Sequence, residues 1–180
     1  MSESQGRLVV KAISRRFSDQ KSMAERAVVQ LQDPQLHQPL DQNTNSITVI
    51  MKHMAGNLRS RFTDFLTRDG EKPDRDRDSE FIDDIPDRAS LLDQWEAGWK
   101  CLLDALAQLT DADLARTITI RSEPHSAIDA LLRSLAHCAY HVGQIVQLAR
   151  FLAKDHWKVL TIPRGGSKQY NRTMQARPAK

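Results

Sequence analysis

His137 and His141 stand one helical turn apart within Leu131–Ala149, a stretch made almost wholly of helix-forming residues. On a helix, residues i and i+4 share a face, so both imidazoles can reach one metal ion. A third histidine, His53, lies on another helical stretch far away in the sequence. Three imidazoles around one ion leave positions for water or substrate, which is the layout of a reactive centre. Neutral imidazole suits zinc, nickel, iron or copper. Such an ion lowers the pKa of a water by several units and deprotonates a substrate thiol outright. The motif His-Cys-Ala-Tyr-His lacks the glutamate of the zinc-protease helix, so no general base is built in beside the pair. Any nucleophile must then come from water or from a thiol.

The neighbours of these histidines extend the reading. Ser46, Asn57, Ser60 and Asp64 share a strip with His53 at the margin of its helix's apolar stripe. Small and polar groups there suit a polar pocket between helices better than dry packing. Asn57, one turn after His53, and Gln144, three residues after His141, are candidates to orient the ligands, although Gln144 falls further toward solvent. Arg59 and Arg61 are candidates to hold an anionic substrate. Arg61 falls close to the core face, where a bare charge is costly without a partner. Asp64 or the acids of residues 69–80 would equally serve as that partner, which would make Arg61 structural. Cys138 reads as core packing and Tyr140 as surface or interface. His37, His125 and His156 fall near helix ends or loops and read as ordinary polar residues.

Four periodic segments must position these groups. They run roughly from Leu8 to Leu31, Ser46 to Leu66, Ala89 to Leu109 and Pro124 to Leu152. The third steps alternately by three and four through Leu92, Trp95, Trp99, Leu102, Leu106 and Leu109, the seam of helices packed at a shallow angle. The stripe on the fourth runs through Leu132, Leu135, Ala139, Val142 and Val146. Ser122-Glu-Pro124 reads as its N-cap and first turn. Thr117–Arg121 alternates and forms at most a short strand. The prediction is an all-α chain, one four-helix bundle domain over residues 1–180. Its tail, from about residue 155, is irregular. Residues 68–80 mix both charge signs densely around Asp69-Gly70 and Pro73. They read either as a solvated, mobile connection or as a loop ordered over one end of the bundle by arginine–carboxylate pairs.

Composition narrows the function classes. No apolar run approaches 18 residues, which argues against a membrane span, and the N-terminal residues lack an apolar signal core. Two cysteines without framework spacing fit a cytoplasmic setting. The net charge of +3 is uneven: from Lys154 onward there are seven Lys/Arg and one acid. That tail reads as a solvated segment. It has no interleaved aromatics and no recognition motif, which argues against nucleic acid as the partner.

The chain resembles the DinB-like (DNA-damage-inducible) superfamily of bacterial four-helix proteins, and within it a branch of uncharacterised bacterial proteins. The residues that carry the likeness are Lys52–Pro73 with its Gly-Asn-Leu-Arg-Ser-Arg run, Arg75–Asp78, Glu80-Phe81, Ala136–Ile145 and Ile162–Ser167. The superfamily pattern sets one metal-binding histidine on the second helix and two, four apart, on the last; here these are His53, His137 and His141. The resemblance implies a divalent transition metal, zinc or nickel, and relatives that are transferases or isomerases using low-molecular-weight thiols such as bacillithiol or mycothiol. It also implies a homodimer. The expected function is a metal-dependent transferase or hydrolase that activates a thiol or water against a small-molecule substrate. The alternative is a non-catalytic metal- or ligand-binding bundle.

Overall fold

The structure, a computed structural model, describes residues 4–177. Those residues form six helices and a two-stranded sheet. The helices are α1 (Gln5–Val28), α2 (Asp33–Leu36), α3 (Ile47–Phe62), α4 (Arg88–Gln108), α5 (Ala127–Ala153) and α6 (Ser167–Gln175). The strands β1 (Thr117–Ile120) and β2 (Glu123–Ser126) form an antiparallel hairpin between α4 and α5. The four long helices start where a side-chain oxygen can accept an otherwise unpaired backbone N–H. Ser4 caps α1, Ser46 caps α3, Asp87 caps α4 and Ser126 caps α5.

α3 packs along α4 and α1 along α5, and α3–α5 and α1–α4 contacts join the two pairs. One apolar cluster runs between them. At its centre Trp95 lies against Trp99 (ring centroids 5.3 Å apart), Trp99 against Phe17 (6.3 Å), and Phe17 against Phe62 (6.4 Å). The rings meet edge to face, as their quadrupoles favour. α3 and α4 approach closely at Gly98, where a Cβ would come within 2.7 Å of the Ala55 Cα.

The stripes expected on the first two helices are buried: Val10, Ile13, Phe17, Ala24 and Val28 on α1, and Ile47, Ile50, Met54, Leu58 and Phe62 on α3. The stripe on α5 is rotated from the expected one. Leu131, Cys138, Val142 and Ile145 are buried, whereas Leu132 and Ala139 are exposed. The apolar residues of this helix surround most of its circumference, so periodicity alone does not choose the inner face.

Three expected boundaries change. α3 stops at Phe62 rather than Leu66, because Asp64 takes a left-handed backbone (φ 51°) and turns the chain. α5 starts at Ala127, not at Pro124, because Glu123–Ser126 pairs with Thr117–Ile120. Its N-cap is therefore Ser126 rather than Ser122. The tail is not irregular throughout, since Ser167–Gln175 forms α6 beyond the glycine pair. No helix among the described residues is long and apolar enough to cross a membrane.

Candidate metal centre

His53 enters from α3 and is buried; His137 and His141 enter from α5 and are half-buried. One ring nitrogen of each lies within 4.8 Å of the other two. The Nε2 atoms of His53 and His137 are 3.3 Å apart, and the three ring centroids are separated by 5.3, 5.0 and 4.5 Å. Helical spacing brings the α5 pair together, and α3–α5 packing supplies the third ring.

The outer nitrogens show how the rings are held. His53 Nδ1 donates to Glu80 Oε2 at 2.9 Å, and His141 Nδ1 donates to Gln144 Oε1 at 2.8 Å. A proton fixed on Nδ1 leaves the Nε2 lone pair free to face the cluster. His137 Nδ1 is buried without a hydrogen-bond partner among the described residues. Burial, with the nearby His141, His53, Arg61 and Arg75, pushes the His137 imidazole down to about 3. Burial also lowers His141, against the opposing hydrogen bond to Gln144. Both rings are thus neutral near pH 7, the form that ligates a metal. This donor set, three imidazoles with two held from behind, fits a transition metal ion.

Glu80 is the residue that the sequence reading missed. It sits in a single 3-10 turn, Asp78–Phe81, laid over α3, and is buried. Arg75 grips its carboxylate with two hydrogen bonds of 2.8 Å, from Nε to Oε1 and from Nη2 to Oε2. Burial alone would raise this carboxyl; the hydrogen bonds from His53 and Arg75 and the Arg75 charge outweigh it and hold the group below its ordinary value. Gly56 lets the carboxylate approach, since a Cβ there would run into Oε1 of Glu80. Phe81 then stacks on the His53 ring at 4.7 Å, and the Arg77 guanidinium lies 5.0 Å from the Phe81 centroid.

The charged segment is therefore ordered by arginine–carboxylate pairs, the second of the two readings above. Glu71 Oε2 takes Arg61 at 3.3 Å, Arg75 at 3.3 Å and Arg121 at 3.2 Å. Arg61 accordingly pairs with an acid of the loop and not with Asp64. Asp64 is exposed past the end of α3, with Arg68 at 3.9 Å. Arg59 is also exposed and lies outside the cavity that His53 and His137 line. Asn57 lines that cavity, and Gln144 lies behind His141 rather than out in solvent. Cys138 is buried and its thiol is pushed up to about 12 by burial, so it packs rather than reacts. The density of charge over residues 68–80 was the available signal for Glu80 and Arg75. It named the segment without naming the residue that would turn inward.

Comparison with curated proteins and with solved structures finds no match. A family model does match, over residues 4–166, and that span includes all three histidines, Glu80 and Gln144. The chain belongs to this family, described as "Protein of unknown function (DUF1572)".

Proposed function

We propose that this chain is a metal-dependent enzyme of the DinB-like type. His53, His137 and His141 hold a divalent zinc or nickel ion, and the reaction is transfer to, or hydrolysis of, a small-molecule substrate. The observation that carries the reading is the convergence of three imidazole nitrogens within 4.8 Å, two of them backed by hydrogen bonds at the far side of the ring. An ion held there supplies Lewis acidity, which makes a water or a low-molecular-weight thiol nucleophilic near neutral pH. Glu80 and Gln144 fix the proton on Nδ1 of His53 and His141, and Arg75 fixes Glu80. Asn57 lines the cavity next to His53 and is placed to orient what enters.

The same proposal takes the four long helices as one four-helix bundle and residues 1–180 as one domain. It makes the protein a cytoplasmic homodimer. The superfamily resemblance supports these points, as do the pairwise packing of α1, α3, α4 and α5 and the two unpaired cysteines.

A second reading has an observation in its favour. Among the described residues no carboxylate lines the cavity beside His53 and His137, so none of them offers a general base over that space. That arrangement suits a non-catalytic metal or ligand carrier. Exchange of water or a thiol at the metal, followed spectroscopically on cobalt-substituted protein, supports the enzyme; a spectrum that no added thiol perturbs supports the carrier.

Metal analysis of the purified protein tests the centre itself. About one transition ion per chain is expected, and His137→Ala should remove most of it. Equal metal content in both proteins would overturn the proposal.

A further inference from the structure

Beside the histidines lies a cavity of about 160 Å³ whose wall carries both His53 and His137. Five guanidinium groups line it: Arg61, Arg75, Arg77, Arg121 and Arg133. They come from α3, the charged loop, the hairpin turn and α5, so they reach the space from several sides. Among the described residues no acidic side chain lines it. The acids that pair with these arginines sit behind them: Glu71 is shared by Arg61, Arg75 and Arg121, and Glu80 is taken by Arg75 and His53. Arg77 lies near the Phe81 ring, and Arg133 Nη1 is 3.4 Å from His125 Nε2. Among the described residues, two carboxylates thus stand against five guanidinium groups. Arg61 shows the imbalance most directly. Its side chain is nine-tenths buried, Nη2 is on Glu71, and Nη1 is buried without a hydrogen-bond partner among the described residues. An unsatisfied buried guanidinium nitrogen is costly, and an anion is the natural group to satisfy it.

We infer that this cavity is an anion subsite that takes the phosphoryl group of a small phosphate ester or phosphonate, with the rest of the ligand facing the three histidines. A dianion offsets most of the excess of guanidinium charge. A tetrahedral group with three terminal oxygens can accept from donors arriving on several sides, whereas a planar carboxylate presents two oxygens in one plane. The volume admits one such group and little more. Arg61 and Arg121 are the anchors, Arg133 lines the wall from α5, and Arg75 is committed to Glu71 and Glu80. The inference rests on the proposed metal centre for what faces the far end of the ligand, and not for the binding of the anion.

Titration calorimetry of the full-length chain with inorganic phosphate tests it, once in chelator and once with a divalent ion bound, both in a chloride background. Saturable binding of one phosphate per chain is expected in chelator. Arg121→Gln and Arg133→Gln, both at exposed positions, should each weaken it roughly tenfold or more, the equivalent of a lost charged hydrogen bond. Arg59→Gln should leave it unchanged. Phosphate binding that appears only with the metal, or that neither rim variant weakens, would overturn the inference. So would tighter binding of malonate or succinate than of phosphate. Phosphate binding by a chain that never takes up a metal would sustain the inference while refuting the metal centre, and metal uptake without phosphate binding would do the reverse.

Discussion

Glu80 has no role that its place in the sequence advertises, yet it governs how His53 is presented. Its carboxylate fixes the proton on His53 Nδ1 and is itself fixed by two bonds from Arg75. Glu80→Gln keeps the shape and removes the charge that favours this tautomer. Metal affinity should fall about 10- to 100-fold, as for other residues that hold a metal-bound histidine from behind, and competition with a chromophoric chelator would read it. Gly56→Ala should act through the same group. The new Cβ displaces the Glu80 carboxylate while improving the intrinsic helix preference of α3. Weaker metal binding in a helix that melts no earlier is the expected signature; unchanged affinity would show that Glu80 does not position His53.

At the scale of elements, the hairpin between α4 and α5 depends on one carboxylate. Its two-residue turn places Arg121 (φ 56°) and Ser122 (φ 63°) in the left-handed region, usually the province of Asn-Gly or Asp-Gly. Asp69 compensates: its side chain accepts from the backbone N–H groups of Arg121 and Ser122, each at 2.8 Å, and of Glu71 at 2.7 Å. Asp69→Ala should cost about 1–3 kcal/mol in urea unfolding, because these donors lose their acceptor. Ser122→Gly should gain roughly 1 kcal/mol by relieving the backbone. Gly98→Ala should destabilise by about 1–3 kcal/mol, since the added methyl meets the α3 backbone. These elements also show which parts of the fold were legible. The stripes of α1 and α3 and the seam through Trp95, Trp99, Leu102 and Leu106 follow from apolar spacing alone. The hairpin was half-hidden, because its turn carries Arg-Ser and relies on an aspartate fifty residues earlier. The His137–His141 pair is local and readable, and its approach to His53 follows from two helices sharing a core. Glu80, Arg75 and the cavity arginines depend on a loop folding back over α3, which no periodicity records.

Across the whole molecule the three-histidine cluster links folding to proton concentration. In the metal-free protein His137 is held near 3, against an ordinary value of 6.5, and His141 is also lowered. The unfolded chain therefore takes up protons that the folded chain refuses. The stability tied to these rings is fully present above 6.5 and falls as the pH drops from there toward about 3. Glu80, held below its ordinary value, adds a loss at lower pH of the same sign. Urea midpoints of chelated protein should decline from about pH 7.5 to about pH 5, with a slope of up to about 1.4 kcal/mol per unit for each proton. His137→Gln should flatten the decline, and a flat profile in the unsubstituted chain would refute the coupling. The central claim is that three imidazoles share one ion, and X-ray absorption at the metal edge of zinc- or nickel-loaded protein tests it most directly. The account predicts a shell containing about three imidazole nitrogens at roughly 2.0–2.1 Å, completed by a water or thiol ligand. A spectrum without imidazole scattering, or one unchanged when His53 is replaced by alanine, would contradict it.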